Sequence, residues 1–268
     1  MENDYIFKKW GIKSILMDNF ISYKYNSSVP VDLSSNVILM IGRSDDRLKR
    51  FELGIQAMEY ITKEIPEIQM RIVTNITNVD FLNNLINFLS LENNIKLLGY
   101  TSLPEKFFRN ISLNIITSIS ESFSLVLSET KIYGIPNILI GLDYISTANG
   151  GVVITYDDSP ESIAKESLKI LLNYEYRKKL GNEGRRNMKK FNNKILLKKW
   201  IKLLLSIYYN NDNFYENLRK IDKKISENMA QNFLKNQIKF LKKRTNLKNI
   251  TLNNFENFTF MENINSIY

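Results

Sequence analysis

Glu121 and Glu129 bracket seven residues in the stretch ESFSLVLSE. Carboxylates can exchange protons, attack carbon or hold hydroxyl groups, and their separation decides which. Eight residues of helix rise about 12 Å, and a turn ahead of the helix would alter that span without bringing both groups to one atom. A hydrolytic pair flanks a single bond with its carboxyl groups roughly 5 to 9.5 Å apart. The spacing here suits the two ends of an elongated ligand, such as a sugar joined to a nucleoside through a diphosphate. Two glutamates alone would be ordinary surface residues, so the elements around them carry the argument.

A strand-like run, SLNIIT (Ser112 to Thr117), leads into the pair. A helix-like run, LVLSETKIY (Leu125 to Tyr133), leads out and stops at Gly134 and Pro136. Strand, polar turn and helix N-terminus is the arrangement in which an α/β fold holds a phosphate. About eighty residues upstream, VILMIGRSDDRLKRFELGIQAM (Val37 to Met58) reads as a buried strand, a Gly-Arg turn and an amphipathic helix. These stretches resemble glycosyltransferase family 4, the group 1 glycosyl transferases, which are retaining enzymes of the GT-B fold. Glu121 and Glu129 match the E-x7-E motif of that family. Gly42, Arg43 and Lys49 match its Gly-Arg after the first strand of the second domain and its Lys six residues beyond.

The resemblance implies a role for each matched residue. Glu129 would hold ribose hydroxyls and Glu121 sugar hydroxyls. Ser122 lies in the same turn, and the backbone amides of Phe123, Ser124 and Leu125 would face sugar and phosphate. Arg43 and Lys49, with Arg50 adjacent, would neutralise the diphosphate and stabilise it as it leaves. Cations at a helix start are unfavourable unless an anion is present, which favours that role over a merely solvated one. Gly99 and Tyr100 lie where the base pocket of the family usually runs. Catalysis would rest on Arg43, Lys49 and Glu121, with no side-chain nucleophile, because the leaving diphosphate can assist attack on the same face.

The resemblance covers roughly residues 10 to 205. It implies a Rossmann-like parallel sheet with helices on both faces, the donor-binding C-terminal half of a GT-B fold. EIQMRIVTN and NNIKLLGY supply the second and third strands, and SLPEKFFRN a short helix. NILIGLDYISTANGGVVITYDD supplies a loop and strand that close the pocket, and SPESIAKESLKILLN a helix capped by Ser159 with Pro160 at its first position. WGIKSILMDNFI (Trp10 to Ile21) resembles the last strand of an acceptor domain and its linker. Residues 1–34 are therefore expected as a remnant of that domain and the linker, 35–191 as the nucleotide-sugar domain and 192–244 as C-terminal helices. Residues 245–268 form an Asn-rich tail with little patterning. TNITN (Thr74 to Asn78) replaces the Gly-rich turn often found after the second strand. The acceptor domain itself is missing from the reading, so the chain describes the donor half, either a fragment or one that pairs with a separate acceptor-domain subunit.

Composition narrows the classes further. With no cysteine and no histidine the chain lacks the commonest metal ligands and any disulfide framework. Asp45-Asp46 and Asp157-Asp158 sit in expected turns, where Asp is favoured for backbone reasons, so no metal and no cofactor are expected beyond the donor itself. No apolar run approaches the ~20 residues that span a bilayer, and MENDYIFKKW carries no apolar signal segment. A cytoplasmic location follows as the expectation, peripheral on the membrane face if the basic segment meets lipid. Between Glu175 and Lys202 stand eleven Lys and Arg against two acids, so this segment holds the whole net charge of +9. It reads as a solvated helical face, or as a surface meeting anionic lipid or an acceptor domain. Nucleic acid is disfavoured, since exposed aromatic residues are not interleaved with the charges. Leu197, Trp200, Ile201 and Leu204 recur at helical spacing and read as core. The expected partners are a nucleotide sugar with UDP or GDP, an acceptor sugar or lipid-linked glycan, and possible peripheral contact with anionic membrane. Two other readings stay open: a non-catalytic nucleotide-sugar-binding or regulatory subunit, and a basic peripheral scaffold.

Overall fold

The computed structural model describes residues 10–11, 15, 17–21, 32–44, 47–100 and 106–208. Six strands form one parallel sheet: β1 (Val37–Ile41), β2 (Gln69–Thr74), β3 (Ile95–Gly99), β4 (Leu113–Ile116), β5 (Asn137–Ile140) and β6 (Val152–Thr155). Their order is β3-β2-β1-β4-β5-β6, so the winding direction reverses between β1 and β4. In the register, Ile41 pairs with Val73 on one side of β1 and Ile38 with Leu113 on the other. Side chains alternate between the faces of this doubly wound sheet. Ile38, Met40, Ile115 and Ile138 enter one core cluster, while Leu39, Ile116 and Leu139 enter two others on the opposite face.

Helices α1 (Phe51–Glu64), α2 (Asp80–Phe88) and α4 (Pro160–Leu171) cover the first face, through Ile55, Met58, Leu82, Ile86, Ile163 and Ile170. Helix α3 (Leu125–Tyr133) lies on the other face, with Leu127 buried against Ile116 and Leu139. Ser159 caps α4, its hydroxyl accepting from Ser162 N at 3.2 Å. A buried polar link ties α3 to the sheet: Thr130 and the Asn114 amide both donate to Asn137 Oδ1, at 2.7 Å each.

The doubly wound parallel sheet meets the fold expectation. Two local readings change. The stretch Asn137 to Asp158 gives two strands, β5 and β6, because both of its apolar runs pair within the sheet. Among the described residues of Trp10–Ile21 none lies in a strand. Ile21 packs on Phe123, Ile132, Met188 and Phe191, and its backbone bonds to the Asn193 side chain at 3.2 and 2.6 Å. The second change concerns α6 (Asn193–Tyr208), which follows α5 (Tyr174–Met188). Leu196, Leu203 and Ser206 turn inward, so Leu197, Ile201 and Leu204 face outward at 46–58% exposure, and Trp200 is half-buried. The core reading of that stripe is thereby corrected. Residues 101–105, which hold the first four residues of the expected short helix, and 209–268 lie outside the described residues.

Helix α5 sits so close to α3 that side chains are excluded. Gly134 ends α3 at φ 76°, and the Arg185 guanidinium fills the space beside it and donates to Tyr133 O at 2.7 Å. A methyl placed on Gly181 would lie 2.1 Å from Gly134 O. Backbone cannot retreat as a flexible side chain can, so Gly181→Ala should cost about 1–3 kcal/mol, as overpacking does. A lowered urea midpoint is expected, and an unchanged midpoint would refute this packing.

Candidate donor site

In doubly wound sheets ligands bind outside the carboxyl ends of the strands, where the winding reverses. Here that crevice opens between β1 and β4 and holds a cavity of about 300 Å³. Lys49, Thr117, Ser118, Glu121, Ser122, Ser124 and Leu125 line it, with Met40, Ile41 and Phe51 behind.

Two tight backbone turns build the two walls. After β1 the chain passes Gly42 and Arg43 into a 3-10 turn, Arg47–Lys49, and reaches α1 through Arg50 at φ 46°. That left-handed conformation is costly for a residue with a Cβ and persists where contacts over-determine it. Arg50 Nε donates to Thr117 O at 2.8 Å, and its guanidinium pairs with Asp158 at 3.2 Å. Thr117 Oγ1 donates to Lys49 O at 2.5 Å, and Ile119 N to Leu48 O at 2.9 Å. The turns after β1 and β4 are thus stitched together, and Lys49 is aimed across the crevice.

After β4 the chain runs through Ser118 and Glu121 to α3. Lys49 Nζ donates to Glu121 Oε1 at 2.7 Å, and Ser118 Oγ to the same oxygen at 2.8 Å. The two side chains are 25% and 14% exposed, so solvent screens this pair only in part. The Tyr144 hydroxyl accepts from Glu121 N at 3.1 Å. Ser124 caps α3 at φ 58°, its hydroxyl within 3.5 Å of Leu127 N. The first amides of α3 thus open at the cavity, and a helix N-terminus favours an anion there.

The structure brings Lys49, Glu121, Ser122, Ser124 and Leu125 to one cavity. Arg43 is exposed in the turn beside Gly42, outside the lining. Phe123 is buried under the turn, in contact with Phe191, and presents only backbone. Glu129 is half-buried, one turn into α3. Gly99 ends β3 and Tyr100 follows at 78% exposure, two strands from β1. The sequence reading missed Thr117, Ser118 and Tyr144, and it took Asp158 for a turn residue only. Ser118 stands three residues before Glu121, a spacing that could have drawn attention to it.

One further charged group supports the site from below. Lys131 on α3 is fully buried, yet its ammonium meets only neutral oxygens: Thr147 O at 2.5 Å, Asn149 O at 3.0 Å and Asn187 Oδ1 at 2.7 Å. Loss of water pushes its pKa from 10.5 down to about 7, with a smaller push from Lys190. Between those values the unfolded chain holds a proton that the folded chain has released. The contribution of this group to stability therefore rises with pH across that window and is lost as pH falls through 7. The difference in melting temperature between the wild type and Lys131→Met should shift in favour of the wild type from about pH 6 to about pH 9. A difference independent of pH would show that Lys131 keeps its proton throughout.

The profile described as glycosyl transferases group 1 matches residues 24–187. A poly(glycerol-phosphate) alpha-glucosyltransferase of Bacillus subtilis is 24% identical over 188 residues, 67% of this chain and 28% of that protein. A poly(ribitol-phosphate) alpha-N-acetylglucosaminyltransferase of Staphylococcus aureus is 26% identical over 164 residues, 59% of this chain and 33% of that protein. The chain therefore spans a third or less of the length of these relatives. The crystal structure of a Staphylococcus aureus TarM mutant, in complex with fondaparinux, alpha-GlcNAc-glycerol and UDP, superposes with a TM-score of 0.65. That match covers 75% of this chain and 42% of TarM at 22% identity. With its strand order, the cavity at its switch point and a family match over most of its length, the chain belongs to the glycosyl transferases group 1 family.

Proposed function

We propose that this chain is the donor-binding part of a retaining glycosyltransferase and takes a UDP- or GDP-linked sugar into the crevice between β1 and β4. The observation that carries this reading is the convergence of Lys49, Glu121 and the N-terminus of α3 on one cavity. Lys49 and Arg43 hold the diphosphate, matching its charge. The amides of Phe123, Ser124 and Leu125 face the phosphate and sugar. Glu121 takes the sugar hydroxyls, Glu129 the ribose hydroxyls, and Gly99 and Tyr100 flank the base. The UDP in the TarM complex supports a donor of this kind.

In the reaction the bond from the anomeric carbon to the diphosphate breaks, and an acceptor hydroxyl bonds to that carbon on the same face. A leaving diphosphate oxygen accepts the hydroxyl proton. Lys49 and Arg43 offset the charge that builds on the diphosphate, and no side-chain nucleophile or metal is required. The acceptor, a sugar or lipid-linked glycan, is oriented by an acceptor domain belonging to the longer protein or to a partner.

Calorimetry with EDTA present should show UDP or GDP binding in the micromolar range. Glu129→Ala should weaken it about tenfold, or 1.4 kcal/mol. The loss should vanish with a nucleotide lacking the ribose hydroxyls. Equal binding by both proteins would sink the assignment of Glu129.

The basic segment carries a second proposal, contact with an anionic membrane at the cytoplasmic face. The observation favouring it is the outward-facing Leu197, Ile201 and Leu204 beside the exposed Lys194, Lys198 and Lys202. No helix of the described residues is long and apolar enough to cross a membrane, so any contact through them would be peripheral. Each Lys or Arg near such a surface contributes about 1 kcal/mol, and salt screens it. Co-sedimentation with anionic vesicles should fall from low to high salt, and again when Lys189, Lys190, Lys198 and Lys199 become Gln. Weak binding at both salt levels would leave a solvated face.

A further inference from the structure

The turn that opens α3 is strained, and its stability must come from elsewhere. Ser124 holds φ 58°, a region disfavoured for a residue with a side chain. Such conformations persist where neighbours over-determine them. Its own cap contact, at 3.5 Å, is too long to hold it alone.

The neighbours come from the loop between β5 and β6. The Thr147 hydroxyl donates to Phe123 O, the carbonyl immediately before Ser124. Tyr144 grips the other end of the turn through Glu121 N at 3.1 Å. The loop is itself anchored. Thr147 O and Asn149 O accept from the buried Lys131 ammonium, which also bonds Asn187 of α5. At the end of the loop a methyl on Gly151 would lie 2.4 Å from Gly184 Cα, so the loop is pressed against α5 as well. A continuous path of hydrogen bonds thus runs from α5 through Lys131 and Thr147 to the carbonyl that sets the Ser124 turn.

Resting on the donor reading above, we propose that Thr147, anchored by the buried side chain of Lys131, is a positioning residue of the donor site. By holding Phe123 O it presets the turn that aims the Ser124 and Leu125 amides before any ligand arrives. Thr147 touches no ligand in this role. It acts by preorganisation, which lowers the ordering cost of binding.

The test compares Thr147→Val, which keeps the shape and removes the hydroxyl, with Thr147→Ser, which keeps the hydroxyl. Lys131→Met removes the anchor. The full chain is studied by amide hydrogen exchange over residues 121–127, by UDP calorimetry and by thermal melting. Thr147→Val should speed exchange across 121–127 at least tenfold and weaken UDP about tenfold, with Thr147→Ser close to the wild type in both. Lys131→Met, if folded, should resemble Thr147→Val. Wild-type exchange over 121–127 in Thr147→Val would overturn the proposal, as would a lower melting temperature with exchange and affinity unchanged. A wild type that binds neither UDP nor GDP would refute the donor reading alone. The exchange comparison would still decide whether Thr147 sets the turn.

Discussion

The reversal of winding between β1 and β4 is the constraint on which the site depends. Parallel strands need long crossovers, and at this one place the crossovers leave in opposite directions. The strand ends there would otherwise present backbone to a gap. The chain closes the gap with bonds between turns far apart in sequence: Thr117 to Lys49 O, Ile119 N to Leu48 O and Arg50 to Thr117 O. Arg50 at φ 46° and Ser124 at φ 58° hold the two disfavoured backbone conformations of the crevice, one on each wall. Strain concentrated at the mouth of a cavity is characteristic of sites whose geometry is fixed before binding.

Around this crevice the molecule is rigid by exclusion rather than by adhesion. Glycines at 134, 151, 181 and 184 let α5 rest directly on the backbone of α3 and of the loop before β6. Lys131 lies buried within this packing and bonds Asn187 of α5. A buried amine held only by neutral oxygens is costly to charge, and its position fixes three segments at once.

Much of this was legible in the sequence where the signals are local. Helix α3 spans Leu125–Tyr133 because Ser124 caps it and Gly134 ends it in the left-handed region, both readable from residue type. Strands β1 to β4 follow short apolar runs with turn residues on either side. Lys49 and Glu121 could be named, but not their contact, which joins residues 72 apart. The bond from Thr147 to Phe123 and that from Lys131 to Asn187 join residues 24 and 56 apart, and no spacing rule points to them. Helix α6 failed differently. It carries apolar residues on several faces, so periodicity offered more than one inward stripe, and packing chose Leu196 and Leu203.

The Lys49–Glu121 bond joins the two walls of the crevice, so each of its halves is matched before anything enters. Any incoming group must break a charge-assisted bond of about 1.5–3 kcal/mol and repay both halves of it. A simple anion such as inorganic phosphate repays the lysine and leaves a carboxylate that is only 14% exposed with Ser118 as its remaining partner. A neutral sugar offers hydroxyls to the carboxylate and leaves the ammonium without a counter-charge. A molecule that carries negative charge and hydroxyl donors a few ångströms apart leaves neither half unmatched. The contact thus sets a two-part condition, of which a small anion or a free sugar meets only half.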